Sequence, residues 1–108
     1  MEINGSFETP YYLVLFTSVL SDRKIELYSD LNDELVESIK DIEGYLGHDS
    51  SKSDVGVTAI YFKDLESIDR WRKHPRHQFA KKLGISDFYD SYHIRIAKVE
   101  YDRGFVRQ

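Results

Sequence analysis

The segment Arg70-Trp71-Arg72-Lys73-His74-Pro75-Arg76-His77 holds the chain's single tryptophan and two of its four histidines beside a proline. A histidine there can act as a general base on an acidic phenol or enol, since an unperturbed imidazole titrates at about pH 6.5. Trp71 can form a flat wall and donate one hydrogen bond from its indole nitrogen. We take His74 and His77 as candidate catalytic residues and Trp71 as a candidate substrate-binding residue. The competing assignment makes Trp71 a core side chain and leaves the histidines on a solvated, basic helix surface.

Metal ligation is not expected from this cluster. His74 and His77 have a usable spacing, but Arg70, Arg72, Lys73, Arg76, Lys81 and Lys82 surround them. Such a field opposes a divalent cation and favours an anionic partner.

The tyrosines are the remaining polar candidates. Tyr61 and Tyr92 are read as substrate-binding donors that can orient a ligand or stabilise an enolate, with Tyr89 and His93 near Tyr92. The alternative is packing, with a wet hydroxyl. His48 and His93 each alternate within a strand pattern, and Arg95 is assigned to a carboxylate partner rather than to substrate. No Gly-rich phosphate loop, Gly-x-Ser-x-Gly elbow or His-Glu-x-x-His motif occurs. An enzyme built on this chain is therefore expected to work without a cofactor.

These residues need a scaffold. The chain has 108 residues, 41% of them hydrophobic and 31% charged, which fits one globular domain. We divide it into an arm over residues 1–10 and a single domain over 11–108. The absence of cysteine excludes disulfide scaffolds, iron–sulfur ligation and thiol nucleophiles. A net charge of −4 argues against nucleic acid as a partner. The apolar run Tyr11–Leu20 is about half the ~20 residues of a membrane span. Glu2 and Glu8 occupy the place of a positive leader region. The expectation is a cytoplasmic protein with no membrane partner.

Periodicity supplies the elements. Residues 1–10 read as a loose arm. Tyr11–Val19 is a strand by its aromatic and β-branched content. Ile25, Tyr28, Leu31, Leu35, Ile39 and Ile42 form one helical stripe that Gly44 stops. Tyr45–Lys52 and Val55–Phe62 are two strands joined by a turn near Ser53-Asp54. Asp64 caps a second helix with Leu65, Ile68 and Trp71 on its inner side. Pro75 breaks this helix and pushes His74 out of helical geometry, and a short helix restarts there and ends at Gly84. Ser91–Tyr101 is the last strand. The order βαββαβ predicts an α+β, ferredoxin-like fold with a four-stranded antiparallel sheet.

Two helices cover one face of such a sheet, yet both central strands are apolar on both faces. Leu13, Leu15 and Val19 oppose Val14, Phe16 and Leu20. Val57, Ala59 and Tyr61 oppose Ile60 and Phe62. An apolar second face of that size marks an interface, so we expect a homodimer with sheets packed face to face.

Tyr11–Ser18 (YYLVLFTS), Gly44–Ser50 (GYLGHDS), Ala59–Lys63 (AIYFK), Ile68–His77 (IDRWRKHPRH) and Phe88–Val99 (FYDSYHIRIAKV), with Gly84, resemble the antibiotic biosynthesis monooxygenase domain family. The likeness spans residues 11–101. The Trp-His-Pro-His stretch followed by Tyr-x-x-Tyr-x-x-Arg resembles one branch in particular, made up mainly of small bacterial proteins. The resemblance implies a dimeric α+β barrel and, by analogy, cofactor-free oxidation of a phenol to a quinone by molecular oxygen. Other members resembling this domain act on quinols or degrade haem. Haem-degrading members have an asparagine on the first strand, where Thr17 or Ser18 stands nearest here. Three functions follow as expectations: a cofactor-independent monooxygenase of a small aromatic or quinol-type metabolite, a non-catalytic small-molecule-binding or stress-protective dimer, and a haem-degrading enzyme.

Overall fold

A computed structural model describes residues 2–21, 34–75, 77–78 and 88–108. Its elements are β1 (Tyr11–Leu20), a helical segment α1 (34–39), β2 (Tyr45–Ser51), β3 (Gly56–Phe62), α2 (Leu65–Lys73) and β4 (Tyr89–Val99). The strands form one antiparallel sheet in the order β2-β3-β1-β4, so the two most apolar strands lie at its centre as expected. This is the α+β, ferredoxin-like arrangement.

The register sorts side chains onto two faces, because neighbours across a ladder point to the same side. On one face Tyr12 pairs with Phe62, and Val14 pairs with Ile60 and Ile96. The helices pack here: Val14, Ile39, Ile60, Phe62, Ile68 and Trp71 form the buried core, flanked by Tyr12, Ile42 and Tyr45. Val14 and Phe62 are wholly buried.

The other face carries Leu13 beside Tyr61 and Ala97, Leu15 beside Ala59 and Arg95, and Thr17 beside Val57 and His93. It is apolar at its centre, as the sequence requires. The N-terminal arm reaches it, with Phe7 beside Tyr61, and so does Asp102 from the segment after β4, through the Tyr11 hydroxyl. Val19 and Val57 remain more than a third exposed there.

That arm is a correction to the expected loose lead-in. Two carboxylates hold it. Asp49 Oδ1 accepts from Asn4 N at 3.1 Å and from Asn4 Nδ2 at 3.0 Å. Asp102 accepts from Ser6 Oγ at 2.9 Å, from Phe7 N at 3.0 Å and from the Tyr11 hydroxyl at 2.7 Å. Phe7 thereby lands between two aromatic rings, 5.4 Å from Tyr11 and 5.4 Å from Tyr61.

Helix α2 begins as predicted. Asp64 Oδ1 accepts from Ser67 N at 2.8 Å and from Ser67 Oγ at 2.6 Å. Its inner side differs in one residue. Ser67, Ile68 and Trp71 are buried, whereas Leu65 is half exposed. At about 3.6 residues per turn, Leu65 falls outside the arc these three share.

The helix ends where Pro75 requires. His74 has extended geometry (φ −62°, ψ 133°), and its N–H reaches only as far back as Trp71 O, at 3.2 Å. Helical geometry resumes at Pro75, with Gln78 N donating to His74 O at 3.0 Å. The expected end of this segment at Gly84 lies outside the described residues.

The first helix stops earlier than its apolar stripe. The last helical residue is Ile39, and Asp41 and Ile42 donate to the carbonyls three residues behind them. Ser38 Oγ bonds Leu35 O at 2.8 Å, which competes with the helical ladder at this point. Gly44 closes the turn at φ 93°. The expected start of this helix, around Ile25, lies outside the described residues.

Strand β4 is also shifted, starting and ending two residues before its expected bounds. A bulge after Val19 lets Leu20 pair with Tyr89, and Ser21 N donates to Phe88 O at 2.8 Å. At the other end the ladder stops at Tyr11 opposite Val99, because Pro10 has no N–H to continue it.

Candidate functional site

The break at His74 returns the chain over the indole. The Trp71 and His77 rings lie 4.1 Å apart at 41°, and Trp71 also packs 5.8 Å from Phe62. Trp71 is only 6% exposed. Its Nε1 is buried and meets no acceptor among the described residues. Leaving a buried donor unmade costs about 1–3 kcal/mol, so such a group is expected to have a purpose. His74 lies at the hinge and is half-buried. The two histidines and the tryptophan therefore occupy one end of α2.

The surrounding basic charge is partly spent within the protein. Arg70 Nη2 donates to Glu43 O at 3.1 Å and to Ser67 Oγ at 3.2 Å, and it lies 4.0 Å from Asp64. This guanidinium ties α2 to the turn before β2. Arg72 lies 3.8 Å from Asp69 in an exposed pair. Arg76, Lys81 and Lys82 lie outside the described residues.

The two tyrosines separate. Tyr92 shares the helix-covered face with Trp71, since it pairs with Ser18 in the same row as Val14. Its ring lies 5.6 Å from Phe16 and 5.7 Å from Tyr89, and Phe16 lies 5.4 Å from Tyr89. Phe16 is four positions along β1 from Tyr12, the partner of Phe62. At ~3.3 Å per residue that places the Tyr92 cluster roughly 13 Å from the Trp71 end.

Tyr61 is on the opposite face, away from the helical layer. The strand's alternation dictates this, because its neighbours Ile60 and Phe62 face the helices. The Tyr61 hydroxyl donates to Asp49 Oδ2 at 2.7 Å. Burial, together with that carboxylate, pushes the phenol well above its ordinary range. Tyr11 is raised to about 12 by burial and by Asp102. Burial alone would raise Asp49, but the hydrogen bonds from Tyr61 and Asn4 outweigh it and hold the carboxyl below its usual range. Asp102 is lowered in turn by hydrogen bonds from Tyr11, Phe7 and Ser6.

One pair escaped the sequence reading. The Tyr45 hydroxyl and His48 Nδ1 lie 2.5 Å apart. Three residues along a regular strand would point to opposite faces. The register shift between Tyr45 and Gly47 turns them to the same side. Gly47 within a strand pattern was the available signal for that bulge.

No protein-family model matches the chain. Over 100 residues it is 38% identical to the uncharacterized protein YqjZ of Bacillus subtilis strain 168, covering 91% of this chain and 87% of that one. The chain belongs to the YqjZ family. Solved structures place its fold more widely. It is similar to Rv0793 from Mycobacterium tuberculosis, with a TM-score of 0.75, 11% identity, and 88% of this chain and 99% of that chain covered. It is also similar to a Nitrosomonas europaea protein provisionally assigned as an antibiotic biosynthesis monooxygenase. There the TM-score is 0.74 at 13% identity, over 92% of this chain and 99% of that chain. A conserved protein from Methanosarcina mazei gives a TM-score of 0.72 at 15% identity, covering 82% of this chain and 91% of that chain. The fold of this YqjZ-family chain is thus the one seen in antibiotic biosynthesis monooxygenases, as the sequence resemblance implied.

Proposed function

We propose that the protein is a cofactor-free monooxygenase that oxidises a small phenol or quinol-type metabolite at the Trp71–His77 end of the helix-covered face. The buried indole N–H, without an acceptor among the described residues and in ring contact with a histidine, carries this reading. A phenolate oxygen supplies the acceptor Trp71 lacks, and an imidazole supplies the base that forms it.

The chemistry balances with molecular oxygen alone. His77, or His74 in its place, takes the phenolic proton. The electron-rich phenolate passes one electron to oxygen, and the substrate radical and superoxide combine at a ring carbon. The resulting hydroperoxide gives up water, the histidine returns its proton, and one phenol plus one dioxygen becomes one quinone plus one water. Tyr92, roughly 13 Å along the sheet, is a donor only to a polycyclic phenol long enough to reach it. Tyr61 acts from the other face, through the clasp with Asp49, as a positioning residue for the sheet.

The working unit is a homodimer closed through the open sheet face. Leu13, Leu15, Val19, Val57 and Ala59 are the apolar surface that supports this assembly. We place the protein in the cytoplasm. No helix among the described residues is long and apolar enough to cross a membrane.

A thermal-shift screen against polycyclic phenols, quinols, quinones and haem tests the reading, with hits taken to an oxygen electrode. Stabilisation by a phenol with substrate-dependent oxygen uptake is the expected result. Stabilisation without uptake identifies a binding protein instead, and a Soret band that decays with a reductant identifies haem degradation.

A further inference from the structure

From His48 at the sheet edge, aromatic rings run inward to the site in an unbroken series. The His48 ring lies 6.1 Å from Tyr45, Tyr45 lies 6.3 Å from Phe62, and Phe62 lies 5.8 Å from Trp71. Trp71 and Tyr45 are the two members that oxidise readily, and Phe62 fills the space between them. The Tyr45 hydroxyl sits 2.5 Å from His48 Nδ1. In the Nε2–H tautomer of His48 the phenol donates to that nitrogen.

This is the arrangement a tyrosine needs in order to lose an electron. A phenol that loses an electron becomes a very strong acid, so its oxidation is easy only where a base takes the proton at once. Tyr45 has that base in contact. Tyr61 and Tyr11 donate to carboxylates on the other face, away from Trp71.

We propose that Tyr45 and His48 form a proton-coupled redox site, an exit for one-electron oxidising equivalents that reach Trp71. The proposal rests on the oxygenase reading only for its natural oxidant, a peroxyl radical formed when superoxide escapes before it recombines and the substrate radical adds a second dioxygen instead. That radical takes one electron from Trp71 and a proton from solvent and becomes a hydroperoxide. The Trp71 radical cation then takes one electron from Tyr45, and the phenolic proton passes to His48 Nδ1. Trp71 is restored, and the products are a neutral Tyr45 radical and a protonated His48 at the edge strand, where a solvent reductant can quench them. Burial raises the Tyr45 phenol and keeps it protonated until the electron leaves.

The test uses a chemical oxidant and needs no substrate, so its outcome is independent of whether the protein consumes oxygen. Azide radicals generated by pulse radiolysis at neutral pH oxidise tryptophan in preference to tyrosine. In the intact protein the tryptophan radical absorbance should decay as tyrosyl absorbance grows, at a rate independent of protein concentration and slower in deuterated water. Tyr45→Phe keeps the ring and should slow this transfer at least tenfold. His48→Gln should slow it and abolish the solvent isotope effect, while Tyr12→Phe should leave it unchanged. Circular dichroism establishes that each variant is folded. Failure of the wild-type protein to form a tyrosyl radical, or an unchanged rate in folded Tyr45→Phe, overturns the proposal.

Discussion

Gly44 and Ser67 touch so closely that a Cβ on the glycine would overlap the serine hydroxyl. Gly44 also has φ 93°, in the left-handed region. Its carbonyl accepts from Lys63 N at 2.7 Å, so this turn and the start of α2 hold each other in place. Gly44→Ala combines left-handed strain with overpacking and should cost about 2–4 kcal/mol in urea unfolding. A loss below ~1 kcal/mol would mean that the contact does not set the position of α2.

Trp71 separates binding from packing. Trp71→Phe keeps a ring against Phe62 and removes the N–H that meets no acceptor among the described residues. Its melting temperature should stay level or rise, while phenol affinity falls about tenfold, the equivalent of one hydrogen bond of roughly 1.4 kcal/mol. Trp71→Ala should lose about 3–5 kcal/mol of stability through the cavity it leaves. Calorimetric titration and thermal melts of both variants check the division.

The arm depends on its two carboxylates. Both Asp49 and Asp102 are depressed in the folded protein, so what they contribute is present above the ordinary carboxyl range and is lost as pH falls through their folded values. Relative to the intrinsic rate at each pH, hydrogen exchange of the Phe7 amide should therefore quicken below about pH 4. Asp102→Asn should quicken it at neutral pH. The alkaline side runs the other way. Tyr11 is raised to about 12, so its contribution is complete below the ordinary phenol value and fades as pH climbs to that figure. Ultraviolet titration should find Tyr11 among the last tyrosines to ionise.

Val57 lies on the open face at 38% exposure and makes a clean probe of assembly. Val57→Glu should halve the mass seen by light scattering at micromolar concentration while leaving far-ultraviolet circular dichroism unchanged, because a partner subunit cannot bury that charge. A monomeric wild-type protein would contradict the dimer.

Most of the scaffold was legible because its signals are local. The β-branched run from Tyr11 and the two apolar faces of β1 and β3 follow from composition and alternation. The Asp64 cap and the break at His74 follow from single residues with one physical consequence each. What escaped depends on partners distant in sequence. The arm looked loose because nothing near it explains its order, and its anchors Asp49 and Asp102 lie far along the chain. The Tyr45–His48 pair was hidden by a bulge that changes strand parity. Tyr61 lies on the face that its alternation with Ile60 and Phe62 gives it, but its partner Asp49 stands on another strand.

Oxygen uptake by wild type, His74→Ala and His77→Ala, with a phenol that raises the melting temperature, decides whether the Trp71–His77 end is an oxygenase site. The Trp71–His77 seat predicts substrate-dependent uptake that falls at least tenfold in one of the two variants, with His77→Ala the one expected. Unchanged uptake in both variants would remove histidine from the mechanism. The absence of uptake with every stabilising phenol would contradict the oxygenase itself.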